Sequence, residues 1–222
     1  MIKNVLVACE ESQAVCMAFR SLGLNAFSCD LQECSGDLPQ YHVVGDVLPL
    51  LNGHCSFITQ TGEQYYIETW DLLIAHPPCT YLTKAGSNLL FNSEHEIKSN
   101  ERYILGVSAY EFFMKFYNSD IERICIENPV PMSIFGLPPY TQIIQPYYFG
   151  HPYKKTTCLW LKNLPKLLPT DLLAEKCASP CMESSWFCFN HSRSDRAKNR
   201  SKTFPGIASA MAEQWSEPLF LF

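Results

Sequence analysis

The chain has 222 residues, 47% hydrophobic and 18% charged, with a formal net charge of −5 at pH 7. That length supports a full hydrophobic core in about one domain, and we expect one domain over residues 1–222 with a small irregular insertion at 165–200. The acidic balance argues against a tight, unspecific grip on duplex DNA, which needs a basic excess or stripe. With no run of about 18 apolar residues, no membrane span is expected.

The N-terminal MIKNVLVACEESQ has a short apolar stretch with acids directly after it, which reads as a first strand, Asn4–Cys9, rather than a leader. Eleven cysteines in such a chain set the expectation of reduced thiols and a cytoplasmic setting. Val15, Ala18, Phe19 and Leu22 recur at helical spacing, predicting a helix over Glu11–Leu22 that Gly23 stops. Asn25–Cys29 predicts a second strand ending in Asp30, and Tyr41–Val44 a short third ending in Gly45-Asp46. The polar stretch Asn52–Thr69 reads as a hairpin or loop, and Asp71–Ala75 as strand four. Asn100–Asn118 predicts a helix with Tyr103, Val107, Tyr110 and Met114 on one stripe. Arg123–Ile126 is strand five, and Pro129–Pro139 is too proline-rich for long regular structure. Thr141–Pro146 and Thr157–Leu161 read as late strands, Lys176–Arg200 as irregular, and Gly206–Trp215 as a small-residue helix. Strands alternating with helices imply an α/β sandwich around a mostly parallel sheet.

Two strand ends carry candidate chemistry. Strand four breaks at Pro77-Pro78 and presents Cys79; strand five ends in Glu127-Asn128-Pro129. Ligands of open α/β sheets bind outside the carboxyl ends of the strands, and two prolines fix the local backbone. A thiol and a carboxylate at such ends can be neighbours.

The first turn reads Cys9-Glu10-Glu11-Ser12 instead of the glycine-rich turn that lets a pyrophosphate approach the backbone. Two acids there favour a cationic or zwitterionic nucleoside such as S-adenosylmethionine. Asp30 stands about 20 residues after the turn, where an acid binds ribose hydroxyls, and Asp46 is placed to accept from an adenine amino group. Leu31, Val47, His76 and Pro77 complete the expected cofactor-binding set.

Taken in order, LVACEESQAVCMAF, Asp30, the GDV at Gly45–Val47, the PPCT at Pro77–Thr80, the ENP at Glu127–Pro129 and RSKTFPGIASAMAEQW at Arg200–Trp215 resemble the cytosine-C5 DNA methyltransferase family, and its short phage and prophage members in particular. The resemblance implies a Rossmann-like methyltransferase sandwich with S-adenosylmethionine as cofactor and DNA as partner. It implies Cys79 as the nucleophile at cytosine C6, Glu127 on N3 and the exocyclic amine, and Asn128 as the residue fixing the loop. Pro78, Thr80, Lys155 and Thr157 would face the substrate. The chain departs from the family pattern in its first turn, in Thr80, in Pro129 and in lacking a clear Gln-x-Arg-x-Arg element. Only about 35 residues, Pro165–Arg200, stand where classical members carry a long target-recognition region, so a protein partner for DNA targeting enters the expectation.

Cys177, Cys181, Cys188 and His191 bring four N/S groups into an irregular segment and set the expectation of a structural Zn²⁺; the competing reading is a cysteine-rich loop without metal. Arg193, Arg196, Lys198 and Arg200 follow, as phosphate contacts or as a solvated basic loop. Two alternatives to DNA methylation stay open: methylation of a free pyrimidine nucleotide, and a non-catalytic binder of a nucleotide or host factor, of phage counter-defence type, on the same fold. The apolar tail Leu219–Phe222 packs on the chain's own sheet or on a second copy.

Overall fold

The computed structural model describes residues 2–180 and 202–216. A seven-stranded sheet runs in the order β3-β2-β1-β6-β7-β10-β8. It is built from β1 (Asn4–Ala8), β2 (Asn25–Asp30), β3 (His42–Val44), β6 (Leu72–Ala75), β7 (Arg123–Pro129), β8 (Gln142–Ile144) and β10 (Thr157–Lys162). The first five strands in that order are parallel, in the arrangement of doubly wound sheets. β10 is antiparallel to both β7 and β8 and lies between them, so the two late strands pair with each other and close the sheet in reverse chain order. The segment Asn52–Thr69 contains a hairpin of β4 (Cys55–Ile58) and β5 (Gln64–Ile67). β9 (Tyr153–Lys154) pairs in parallel with β11 (Ser179–Pro180), so the stretch read as irregular begins with a short strand.

Apolar residues in β1 and β6 leave both faces of these strands dry, as covered parallel strands require. One face packs against α3 (Asn100–Tyr117) and the β4–β5 hairpin, with Phe27, Trp70, Phe113 and Phe116 in the core. The other carries α1 (Ala14–Ser21) and α4 (Pro205–Ser216), with Phe19, Met211 and Trp215 fully or nearly buried. The buried line of α3 is Gly106, Phe113 and Phe116, while the expected stripe of Tyr103, Val107, Tyr110 and Met114 flanks it, partly buried. Ser99 caps α3 by accepting from the Arg102 amide at 3.2 Å. A short helix, α2 (Ser87–Leu90), precedes it.

The first helix starts three residues later than its spacing predicted. Gln13 sits at φ 58°, in the left-handed region, so Glu11, Ser12 and Gln13 belong to the turn and not to α1. Among the described residues, no helix is long and apolar enough to cross a membrane.

Candidate active site

The register of β6 and β7 sets Ala75 opposite Ile126, and the chains leave these two strands side by side. The next residues meet directly: His76 Nδ1 and Glu127 Oε2 lie 2.8 Å apart, with both side chains nearly buried. One residue on, the Asn128 Nδ2 donates to the carbonyl of Pro77 at 3.2 Å. The Cys79 carbonyl accepts from the amides of Leu82 and Thr83, Met132 N–H donates to Leu82 O, and Lys84 N–H donates to Val130 O. The Cys79 loop is therefore docked on the chain that follows Glu127-Asn128. Cys79 itself is partly exposed and Pro78 and Thr80 are exposed, over a buried Pro77 and Leu82. Arg102 reaches from α3 to the Thr80 carbonyl at 2.7 Å and holds the outer side of the loop.

Thr157 opens β10 opposite Pro129 and is buried. Lys155 stands just before it, and its charge acts on both Glu127 and His76. A small cavity between Glu127, Lys155, Thr157, Thr203, Phe204 and Ile207 separates this corner from the start of α4. Burial pushes the Glu127 carboxyl up, but the bond to His76 and the charges of Lys155 and His76 outweigh it and hold the group below its ordinary value. Burial likewise favours neutral His76, yet Glu127 and then Glu10 outweigh it and raise the imidazole above its ordinary value.

At the first turn, Cys9 takes φ 59°, a left-handed conformation without glycine. Glu10 turns inward: its Oε1 accepts from the Val15 amide at 2.7 Å and its Oε2 from the Cys16 amide at 3.1 Å, which caps α1. At 4% exposed, its carboxyl is raised by burial despite those bonds. Glu11 is also buried, and Ser12 Oγ accepts from Ala14 N–H at 3.5 Å. Asp30 ends β2 and accepts from Gln32 N–H; Asp46, exposed, accepts from Leu48 N–H. Both carboxylates act on Cys9 and Cys29, whose thiols burial raises first, Cys29 to about 12. Leu31 is 78% exposed and Val47 is buried. The acids therefore collect around the end of β1 and β2, while Cys79, Glu127 and Asn128 collect at the ends of β6 and β7.

Two features here leave little local trace in the sequence. His76, expected in the cofactor-binding set, bonds to Glu127. Gln13, fully buried, donates to Ser28 Oγ and to Leu38 O and accepts from Leu38 N–H. Ser28 in turn meets His42 Nδ1 at 2.8 Å. This network props the turn and the 32–38 loop from below, and a Cβ at Gly36 would stand 2.7 Å from Gln13 Oε1. Its signal was Gln13 directly before an apolar helix, a polar group that burial obliges to find partners.

An open groove runs on from the Cys79 loop, lined by Lys84, Lys98, His95, Phe91, Met132 and Ser133. Of the expected zinc ligands, Cys177 is exposed, and Cys181, Cys188 and His191 lie outside the described residues, as do Arg193, Arg196, Lys198, Arg200 and Leu219–Phe222. Among the described residues, no group of three or more His, Cys, Asp or Glu is placed to hold a metal ion.

No known family's sequence profile matches the chain, and no curated protein matches it. Among solved structures the chain is similar to the Entamoeba histolytica methyltransferase EhMeth, with 15% sequence identity and a TM-score of 0.39, over 78% of this chain and 58% of that chain.

Proposed function

We propose that the protein is a Rossmann-like, S-adenosylmethionine-dependent methyltransferase acting on C5 of cytosine in DNA, with Cys79 as nucleophile. The observation that carries this reading is the docking of the Cys79 loop beside Glu127-Asn128 at the carboxyl ends of two adjacent parallel strands.

The acids Asp30 and Asp46 at the ends of β2 and β3, with Glu11 in the first turn, repel a pyrophosphate and suit a nucleoside that carries a sulfonium and no phosphate. Cys9, Ser12, Asp30, Leu31, Asp46 and Val47 would hold it. When bound, S-adenosylmethionine supplies an electrophilic methyl group. Cytosine C5 is a poor nucleophile, and Cys79 changes that by adding its thiolate sulfur at C6. Glu127 faces N3 and the exocyclic amine, where charge develops. Asn128, bonded to Pro77, keeps the thiol at a fixed distance from Glu127. Once C5 carries the methyl, its proton leaves and the Cys79 sulfur is expelled.

The groove beside the Cys79 loop supports a polynucleotide over a mononucleotide, because it offers Lys84 and Lys98 to phosphates and Phe91 to a base beyond the reacting one. A strand already opened, or opened by a partner protein, needs no energy from this chain to expose its base.

The test is methyl transfer from tritiated S-adenosylmethionine to duplex DNA, single-stranded DNA and deoxycytidine monophosphate in parallel. Counts in DNA that vanish in Cys79→Ala support the proposal. Counts confined to the mononucleotide move the substrate to free nucleotides. Binding of a nucleotide without any transfer points to the non-catalytic alternative.

A further inference from the structure

Addition at C6 makes a demand that Glu127 does not meet alone. As the sulfur–C6 bond forms, the C5=C6 pair shifts to C4=C5 and the C4=N3 pair to N3, and N3 needs a proton. Glu127 is held as a carboxylate by His76 and Lys155. A carboxylate accepts from the exocyclic amine but has no proton for N3.

The proton has a place next door. His76 Nδ1 is 2.8 Å from Glu127 Oε2, its side chain is 10% exposed, and its buried Nε2 has no hydrogen-bond partner among the described residues. Three charges face the ring. Glu127 from β7 and Glu10 from the first turn favour the imidazolium, and Lys155 from the β9–β10 connection opposes it. Burial and Lys155 oppose the charge, but the 2.8 Å bond to Glu127 and the field of the two acids outweigh them, so the ring holds its proton more firmly than an ordinary histidine.

Building on the methyltransferase reading, we propose that His76 is the positioning residue that stores the N3 proton and delivers it through Glu127. When Cys79 adds, the Nδ1 proton passes to Oε2, and the carboxyl group so formed turns and gives that same proton to N3, which leaves a neutral imidazole, the Glu127 carboxylate and a neutral N3–H. After the methyl group has reached C5, the C5 proton leaves to solvent. Its electron pair re-forms C5=C6, the S–C6 pair departs with Cys79, and the N3 proton returns through Glu127 to Nδ1. His76 thus ends each turnover as it began.

Two measurements on the full chain test this. The first is a ¹⁵N-histidine NMR titration of the unliganded protein; the second is the pH profile of single-turnover methyl transfer in wild type and His76→Gln. Glutamine keeps a donor near Glu127 but does not titrate. The proposal expects His76 to lose its proton above the pH of an ordinary histidine, and wild-type transfer to fall on the alkaline side with the same midpoint. His76→Gln should lose about tenfold or more in rate, lose the alkaline limb, and keep its KM for DNA. A wild type that transfers methyl groups while its His76 titrates at or below the ordinary value overturns the proposal, with or without a folded variant. So does a His76→Gln protein with an unchanged rate and limb. A wild type that transfers nothing, and forms no adduct with 5-fluorocytosine in DNA, overturns the methyltransferase reading instead, whatever the ring does.

Discussion

Asn128 donates from its side-chain amide to the carbonyl of Pro77 at 3.2 Å, and this bond joins the end of β7 to the start of the Cys79 loop. Asn128 is almost wholly buried, so no water stands ready to replace it. Asn128→Ala leaves the Pro77 carbonyl without its partner, which costs about 1–3 kcal/mol. In a chain of this size that lowers Tm by about 2–12 °C. Thermal unfolding followed by circular dichroism reads this directly, and an unchanged Tm means the loop is held by its other contacts alone.

The ion pair of His76 and Glu127 gives stability a pH window. Glu127 is held below its ordinary 4.5, so its contribution is complete above 4.5 and is lost as pH falls through the lower folded value. His76 is raised above its ordinary 6.5, so its contribution is complete below 6.5 and is lost as pH rises through the higher folded value. Both are in full force between those two values. Replacing the pair by His76→Gln with Glu127→Gln keeps a neutral donor and acceptor, and Glu10 and Lys155 are common to both proteins. The Tm gap between wild type and this double variant should be widest from pH 4.5 to 6.5 and narrow on either side. A gap that stays flat from acid to alkali means the pair is not ionised.

Gly106 in α3 faces the ring of Phe135, and a Cβ there would overlap the ring atoms. Phe135 is buried, stacks on Tyr103 and anchors the chain just beyond Glu127-Asn128-Pro129. Alanine raises helix propensity by about 1 kcal/mol over glycine, but overpacking typically costs about 1–3 kcal/mol. Gly106→Ala should therefore lower Tm, and adding Phe135→Leu should recover part of the loss by making room. If Gly106→Ala alone raises Tm, the ring has moved aside at no cost.

The strands and helices that were legible in the sequence are those whose burial leaves a pattern. Leu72 to Ala75 is buried on both faces, so it shows as an unbroken apolar run, and the prolines after it mark its end. Adjacent ends for Cys79 and Glu127 followed from that reading once β6 and β7 paired. What was hidden depends on partners distant in the chain. β10 reads as any short strand, and nothing local says that it enters between β7 and β8. Gln13 looks like a helix residue until its amide is seen bonded to Leu38 and Ser28. Glu10 looks like a turn acid open to a cofactor, yet both its oxygens serve the amides of α1. His76 shows no periodic signal, because its role lies in one contact across 51 positions.

The first turn bends sharply without a glycine. Cys9 adopts φ 59° and donates its amide to Cys29 O at 2.7 Å, so the turn has the backbone that glycine would favour, made by a residue that a left-handed conformation costs about 1–2 kcal/mol. Cys9→Gly removes that strain while losing a partly buried thiol and freeing the unfolded chain. These effects oppose one another, and the expected net change is within about 1 kcal/mol. Cys9→Val places a β-branched side chain at positive φ, where it is a genuine outlier, and should lower Tm by several degrees. A Cys9→Gly protein that is much less stable than wild type would mean that the thiol, and not the backbone angle, is what the turn requires.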